Sequence, residues 1–249
     1  NYDGITSIKF SGSEINIDYK IIDKLIKINS FKSRLNNHDI SLKGEVKLSP
    51  FYYDLNLNLQ TLNINKFSKN LLRLKNLLNK KILLNNNING KFALNIESIK
   101  GIKFFNQAKI NLVILNGKIM LNNSTFISDK IGKMTFKDCE LEIVNDQKIF
   151  KSKILFQVLD EKKFYQKLQI PRTNRIKLNN IYFELEKNLD SNEMKLIKFI
   201  FNKKDSSSSS GKEINLTEII DQDQLNNIKN WIELKKYSAQ LLSETKKLN

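Results

Sequence analysis

Along most of this chain apolar and polar residues alternate with a period of two. Ile110, Leu112 and Ile114 are separated by Asn111 and Val113, and Leu55, Leu57 and Leu59 by Asn56 and Asn58. Glu142 separates Leu141 from Ile143, Leu155 and Gln157 interrupt Ile154, Phe156 and Val158, and Tyr182 and Glu184 interrupt Ile181, Phe183 and Leu185. Successive side chains leave a strand on opposite faces, so each stretch presents one apolar and one polar face. The pattern predicts a mainly β protein, a long curved antiparallel sheet whose continuous apolar face forms an open groove. The groove lining is expected from Phe92, Leu94, Ile96, Ile110, Leu112, Ile114, Leu141, Ile143, Ile154, Phe156, Val158, Ile181, Phe183 and Leu185. Cys139 shares the phase of Leu141 and is expected on the buried face as a small apolar residue.

This β-groove domain is expected over residues 1–205. Strands are predicted within residues 5–33, then at 39–48 and 53–60 as a hairpin around Pro50, whose missing N–H is harmless in a turn. The period then changes. Phe67, Leu71, Leu74 and Leu78 recur at helical spacing among lysines, predicting a basic amphipathic helix over about 66–81. It would serve as a crossover packed on an end of the sheet, or dock on an anionic membrane surface. Strands resume at 88–97, 107–115, 118–122, 125–128, 133–136, 139–144 and 149–159, and again at 176–186 and 194–201. Between the last three lies a short helix over about 161–169, with Asp160 as N-cap and Pro171 beyond its end.

Residues 206–211 are a Ser/Gly linker. Residues 212–249 read as an amphipathic helical segment that opens on a capping box from Asn215 to Glu218. Its apolar residues Leu225, Ile228, Trp231 and Ile232 are expected to fold back and cap an open end of the sheet.

A chain of 249 residues can bury a sizeable core, and no run approaches the roughly 20 apolar residues of a membrane-spanning helix. No secretory signal is present either, so the chain is expected to be a piece whose targeting segment lies upstream. The single cysteine excludes an internal disulfide. The net charge of +16 comes almost wholly from lysine, since Arg34, Arg73, Arg172 and Arg175 are the only arginines. Lysine suits bidentate base or phosphate recognition poorly, and the wealth of Asn, Ile and Lys is what an AT-rich genome would produce. Acids and bases cancel from Lys212 to Asn249, so the excess belongs to the β region. A basic outer surface favours anionic partners, membrane headgroups among them.

Catalytic patterns are nearly missing from the sequence. His38 is the only histidine and is expected in an exposed turn, with no partner for a metal site or a nucleophilic triad. Gly101, Gly117 and Gly132 stand alone, so no phosphate-cradling loop is expected. Glu140 with Glu142, and Glu184 with Glu186, fall on the polar face of their strands, where solvation explains them. The expectation is a protein that is not an enzyme and that uses no metal and no cofactor. Most Phe residues lie in phase with the aliphatic face, so no stacking platform for nucleic acid is expected.

The run KKFYQKLQIPRTNR at residues 162–175, followed by IKLNNIYFELE at 176–186, resembles the AsmA-like family of bacterial envelope proteins. The repeated textures INGKFALNI at 88–96 and LNINKF at 62–67 share this likeness, which spans roughly residues 39–200. The resemblance implies a periplasmic protein anchored in the inner membrane through a segment that this chain lacks. It further implies a β-groove that conducts phospholipid between inner and outer membranes and supports outer-membrane integrity. The expected partners are then phospholipid acyl chains, the inner or outer membrane and envelope proteins. Two other readings stand beside it: a structural or assembly module for outer-membrane proteins, acting by strand or helix interaction, and a polyanion-binding β protein.

Overall fold

A computed structural model describes residues 1–10, 12–35, 38–65, 82–101, 104–203, 212–215, 221–226 and 231–247. The protein is mainly β, as the alternation predicts. The chain forms two compact units, Asn1–Phe126 and Ile127–Asn249. A period of two is a property of each strand and says nothing about which strands gather into one body.

In the first unit β1 (Tyr2–Phe10), β2 (Ser13–Ile22), β3 (Leu25–Leu35), β4 (His38–Leu48), β5 (Phe51–Asn63), β6 (Asn89–Lys100), β7 (Gln107–Leu115) and β8 (Lys118–Met120) lie side by side in chain order. Strand β9 (Thr125–Ser128), at the boundary, pairs with β7. β4 and β5 form the expected hairpin, with Leu48 opposite Phe51 and a cis Ser49–Pro50 bond in the turn. The sheet is mostly antiparallel, with one parallel pair: β5 and β6, with Leu57 opposite Leu94. Parallel neighbours need a long crossover, and the connection over residues 64–88 is long enough to supply it. The helix expected at 66–81 lies outside the described residues.

Two local devices recur in this unit. The ladder between β2 and β3 slips between Glu14 and Asn16, and Lys32 sits at the bulge with φ 44°. There the Ser33 hydroxyl accepts from the Asn16 N–H (2.9 Å) and has its single proton to share between the Phe31 carbonyl (3.0 Å) and the Asn16 carbonyl (3.2 Å), while the Asn16 side-chain amide donates to the Lys32 carbonyl (3.2 Å). Asn111, Asn123 and Ser124 repeat the three contacts that Asn16 makes, with Asn123 at φ 60°. Each clasp satisfies backbone groups that a displaced ladder leaves open. The second device sets a tyrosine against a glycine on the next strand: Tyr19 lies over Gly4 and Tyr53 over Gly90, where any side chain would collide with the ring.

In the second unit β10 (Gly132–Val144), β11 (Gln147–Val158), β12 (Asn180–Asn188), β13 (Met194–Lys203) and β14 (Lys212–Asn215) pair antiparallel in that order. The two strands expected at 133–136 and 139–144 are one strand. A bulge between Phe136 and Cys139 breaks the alternation without ending the ladder. Residues 212–215 likewise form a strand, against Ile200–Lys203, where the periodicity predicts the start of a helical segment. Four residues suffice for a ladder but not for a turn of helix with its caps. The linker at 206–211 and the last three residues of the capping box lie outside the described residues.

Helix α1 (Glu161–Leu168) begins where the sequence places it. The Asp160 carboxylate accepts from the Lys163 N–H at 3.0 Å, and Gln169 ends the helix at φ 57°. Its buried face carries Phe164, Tyr165 and Leu168. The Tyr165 hydroxyl donates to the Ile176 carbonyl at 2.6 Å, and the Arg175 guanidinium lies 5.6 Å from the ring centre while donating to the Ile170 carbonyl. This corner, with Ile170 and Leu178 fully buried, is the heart of the unit's core. Helices α2 (Gln222–Asn226) and α3 (Trp231–Lys247) complete the unit. α3 buries Leu241 and Leu242 and reaches α1's end through Lys235, whose ammonium donates to Gln169 at 2.6 Å. No helix among the described residues is long and apolar enough to cross a membrane.

Candidate functional site

Residues opposite one another in a ladder share a face, so the registers show where each expected lining residue points. In the first unit Phe92 lies opposite Leu112 on β7 and Leu55 on β5; Leu94 lies opposite Ile110 and Leu57, and Ile96 opposite Ala108 and Leu59. Ile114 joins this face opposite Gly90. The rows continue through Leu42 and Ile40 on β4, through Ile26 and Ile28 on β3, and on to Tyr19 and Ile17 on β2. The six lining residues expected in this unit therefore fall on one apolar face.

Burial across that face is graded. Leu59, Ile96 and Ala108 form a closed cluster with Leu62 and Ile99 toward one end of the strands. Ile114, Ile119 and Leu84 are buried toward the other. Between them Phe92, Leu94, Ile110, Leu112, Leu55, Leu57 and Leu42 are only half-buried. The reverse face is polar. The Asn95 side-chain amide donates to Asn58 Oδ1 at 2.8 Å, and the Asn58 side-chain amide donates to the Ser41 hydroxyl at 3.0 Å. Ladder, bulge and side-chain amides thus satisfy the backbone and leave the apolar face free of polar demands.

In the second unit the registers again align the expected residues. Phe156 lies between Met134 and Ile181, Ile154 between Phe136 and Phe183, and Ser152 between Cys139 and Leu185. Leu141 lies opposite Phe150, Val158 opposite Gly132, and Ile143 opposite Lys148. All eight share one face with Cys139. Helix α1 covers part of it: Phe156 is 4% exposed, its ring centre 5.6 Å from that of Phe164. Leu141, Ile154 and Val158 are buried too, whereas Ile143, Ile181, Phe183 and Leu185 are half-buried. Burial pushes the Cys139 thiol pKa up, with the Ser152 hydroxyl beside it acting the other way. At the rim, the Asp190 carboxylate pairs with the Lys148 ammonium and accepts from the Lys148 N–H at 2.8 Å.

On the polar face of this unit Glu142 and Asp138 sit in ion pairs. Lys151 meets Glu142 at 3.4 Å and Lys153 meets Asp138 at 3.1 Å. His38 opens β4 opposite Leu35, half-buried, where the sequence suggests an exposed turn. Among the described residues no group of three or more His, Cys, Asp or Glu side chains is arranged to hold a metal ion. What the apolar faces offer is transfer of hydrocarbon out of water, about 25 cal/mol per Å² of apolar surface covered.

Sequence reasoning leaves Leu42, Leu55, Leu57, Ile26 and Ile28 out of the lining, although they share its face. Their own alternation is visible, but alternation does not say which strands are neighbours, so only the register joins them to Leu94. No family model matches the chain, and neither a curated protein nor a solved structure matches it.

Proposed function

We propose that the half-buried apolar face of the first unit holds phospholipid acyl chains, making this protein a lipid-binding groove module of the cell envelope. In this reading it conducts phospholipid between inner and outer membranes and supports outer-membrane integrity. The observation that carries the proposal is the band of Phe92, Leu94, Ile110 and Leu112, half-buried between closed clusters at either end. Exposing an acyl chain to water costs about 0.8 kcal/mol per CH₂, on the order of 12 kcal/mol for a 16-carbon tail. A sheet face of Leu, Ile and Phe offsets most of that, and β6, twelve residues long, runs about 40 Å at roughly 3.3 Å per residue. Passage along such a face requires no bond-making group. The resemblance to AsmA-like proteins supplies the periplasmic setting.

The other reading, a structural or assembly module, draws support from the second unit, where α1 fills part of the apolar face with the chain's own Phe164. Native mass spectrometry after incubation with phospholipid vesicles separates the two. The lipid reading expects bound phospholipid on the wild type and its loss in Leu112→Asp, because a carboxylate among these side chains would lack partners. It expects no loss in Lys109→Asp, an exposed position on the polar face of the same strand. A lipid-free wild type would leave the assembly reading.

A further inference from the structure

Three turns gather at one end of the first unit. β2 passes into β3 at Asp23 and Lys24, β4 into β5 at Ser49 and Pro50, and β7 into β8 at Asn116 and Gly117. Because β5 and β6 run parallel, β6 also starts here, with Asn89 opposite Tyr52. Hydrogen bonds tie neighbouring turns together: the Leu48 N–H donates to the Lys24 carbonyl at 2.8 Å, and the Asn116 N–H to Asn89 Oδ1 at 2.9 Å. A hairpin tip in water ordinarily ends on polar residues. Here Leu48 is 50% and Phe51 41% exposed, opposite each other across the turn, and Leu115 at the end of β7 is 44% exposed. Strands β4, β5 and β7 are each paired on both sides, so this exposure belongs to the strand ends and not to an open sheet edge. Leu48 and Phe51 are the last row of the apolar face, followed inward by Val46 with Tyr53 and then by Gly44 with Leu55. Among residues 22–25, 47–52, 84–89 and 115–118 the cations are Lys24, Lys47 and Lys118, all exposed, and the one carboxylate is Asp23.

We propose that this end of the first unit docks on an anionic bilayer, with Leu48 and Phe51 inserted at the boundary of headgroups and acyl chains and Lys24, Lys47 and Lys118 against the phosphates. The choice of a bilayer rests on size and charge. Two apolar side chains at a hairpin tip are far less than the ~800 Å² per partner of a stable protein interface. A bilayer gains from each apolar group separately, and lysines beside that group add attraction to anionic headgroups. The tip has this layout: apolar side chains at its point, with lysines on the turns around them. Tyr52, opposite Lys47, and Tyr53, whose ring centre lies 6.3 Å from that of Phe51, stand just behind the tip. Tyrosine favours such a position, with its ring in an apolar layer and its hydroxyl in a wet one. The proposal builds on the lipid reading, since docking here sets the end of the apolar face against the acyl region, in line with Leu55 and Leu57.

Cosedimentation of the whole chain with vesicles tests it, using phosphatidylglycerol mixed with phosphatidylcholine beside phosphatidylcholine alone. The wild type should bind the anionic vesicles, and the neutral ones about tenfold more weakly. On anionic vesicles Leu48→Ser and Phe51→Ser should each weaken binding about tenfold, and Lys24→Gln and Lys47→Gln about fivefold each. Lys43→Gln and Lys109→Gln, exposed in the middle of the polar face, should leave it nearly unchanged. An environment-sensitive dye on Ser49→Cys should shift to the blue on binding, and the same dye on Lys100→Cys, at the other end of β6, should not. Cys139 is buried and escapes the label. The dye pair decides the matter even if a serine at 48 or 51 disturbs the hairpin. A wild type that ignores anionic vesicles, indifference to both serine variants, equal losses from Lys24 and Lys109, or equal dye shifts at 49 and 100 would each overturn the proposal. Native mass spectrometry reads lipid uptake separately. Tip-dependent binding with no lipid carried away supports the docking and removes the groove reading, whereas uptake without tip-dependent binding overturns the docking alone.

Discussion

The carboxamide of Gln222 engages both backbone groups of Leu196: its oxygen accepts from the Leu196 N–H at 3.0 Å and its nitrogen donates to the Leu196 carbonyl at 3.1 Å. A side-chain amide here does the work of a neighbouring strand. Asn226 extends the arrangement by accepting from the Met194 N–H at 2.9 Å. The short helix α2 thereby closes the part of β13 that β14 does not reach, which is how the chain keeps this edge from templating another strand.

Gln222→Ala should reopen that edge. The Leu196 amide is expected to lose protection in hydrogen exchange, and the unit to lose about 1 kcal/mol, the usual net worth of such bonds. Exchange monitored at Leu196 and at Ile181, on the neighbouring β12, checks this: only the former should change.

The clasp at Ser124 gives a second expectation. Ser124→Ala removes the group that both accepts from the Asn111 N–H and donates to its carbonyl in a buried setting. The expected loss is about 1–3 kcal/mol, with Ser33→Ala costing a similar amount at the matching clasp. Urea denaturation of the two variants should show reduced midpoints of comparable size, whereas Ser7→Ala on an exposed strand should change little.

Tyr165 and Tyr237 are expected to set the alkaline limit of the second unit. Burial pushes its phenol pKa up to about 12, and that of Tyr237 to about 12, against about 10 in an unfolded chain. The folded state thus holds these protons more tightly. Their contribution to stability is fully present below pH of about 10 and is lost as pH rises through about 12. Thermal unfolding followed across that range should show the decline. Tyr165→Phe should flatten it while lowering stability at neutral pH by about 1–3 kcal/mol, because the Ile176 carbonyl loses its donor.

Much of the local structure was legible in the sequence. Asp160, three residues before a backbone N–H in need of a partner, announces α1. The alternation puts Leu94 and Leu112 on one face within the first unit, and Phe183 in line with Ile154 within the second. What escaped is what alternation cannot encode. The parallel pairing of β5 with β6 depends on the path of the crossover, and the unity of β10 depends on a bulge at Lys137 and Asp138 that looks like a strand end. Phe156 has the same phase as Phe183, yet it lies beneath Phe164, because only tertiary packing decides where α1 rests. Substitution of Phe156 accordingly tests packing, and Leu112, half-buried, is the better reporter of an open face.

The central claim, that an acyl chain lies along the apolar face of the first unit, is tested most directly by photocrosslinking from neighbouring positions of β6 and β7. A photoreactive residue in place of Leu94 or Leu112 points into the proposed lipid path, while one in place of Asn95 or Asn111 points to the opposite face. After incubation with phospholipid vesicles, lipid adducts are expected at 94 and 112 and none at 95 and 111. Equal labelling at all four positions, or none at 94 and 112, would contradict the account.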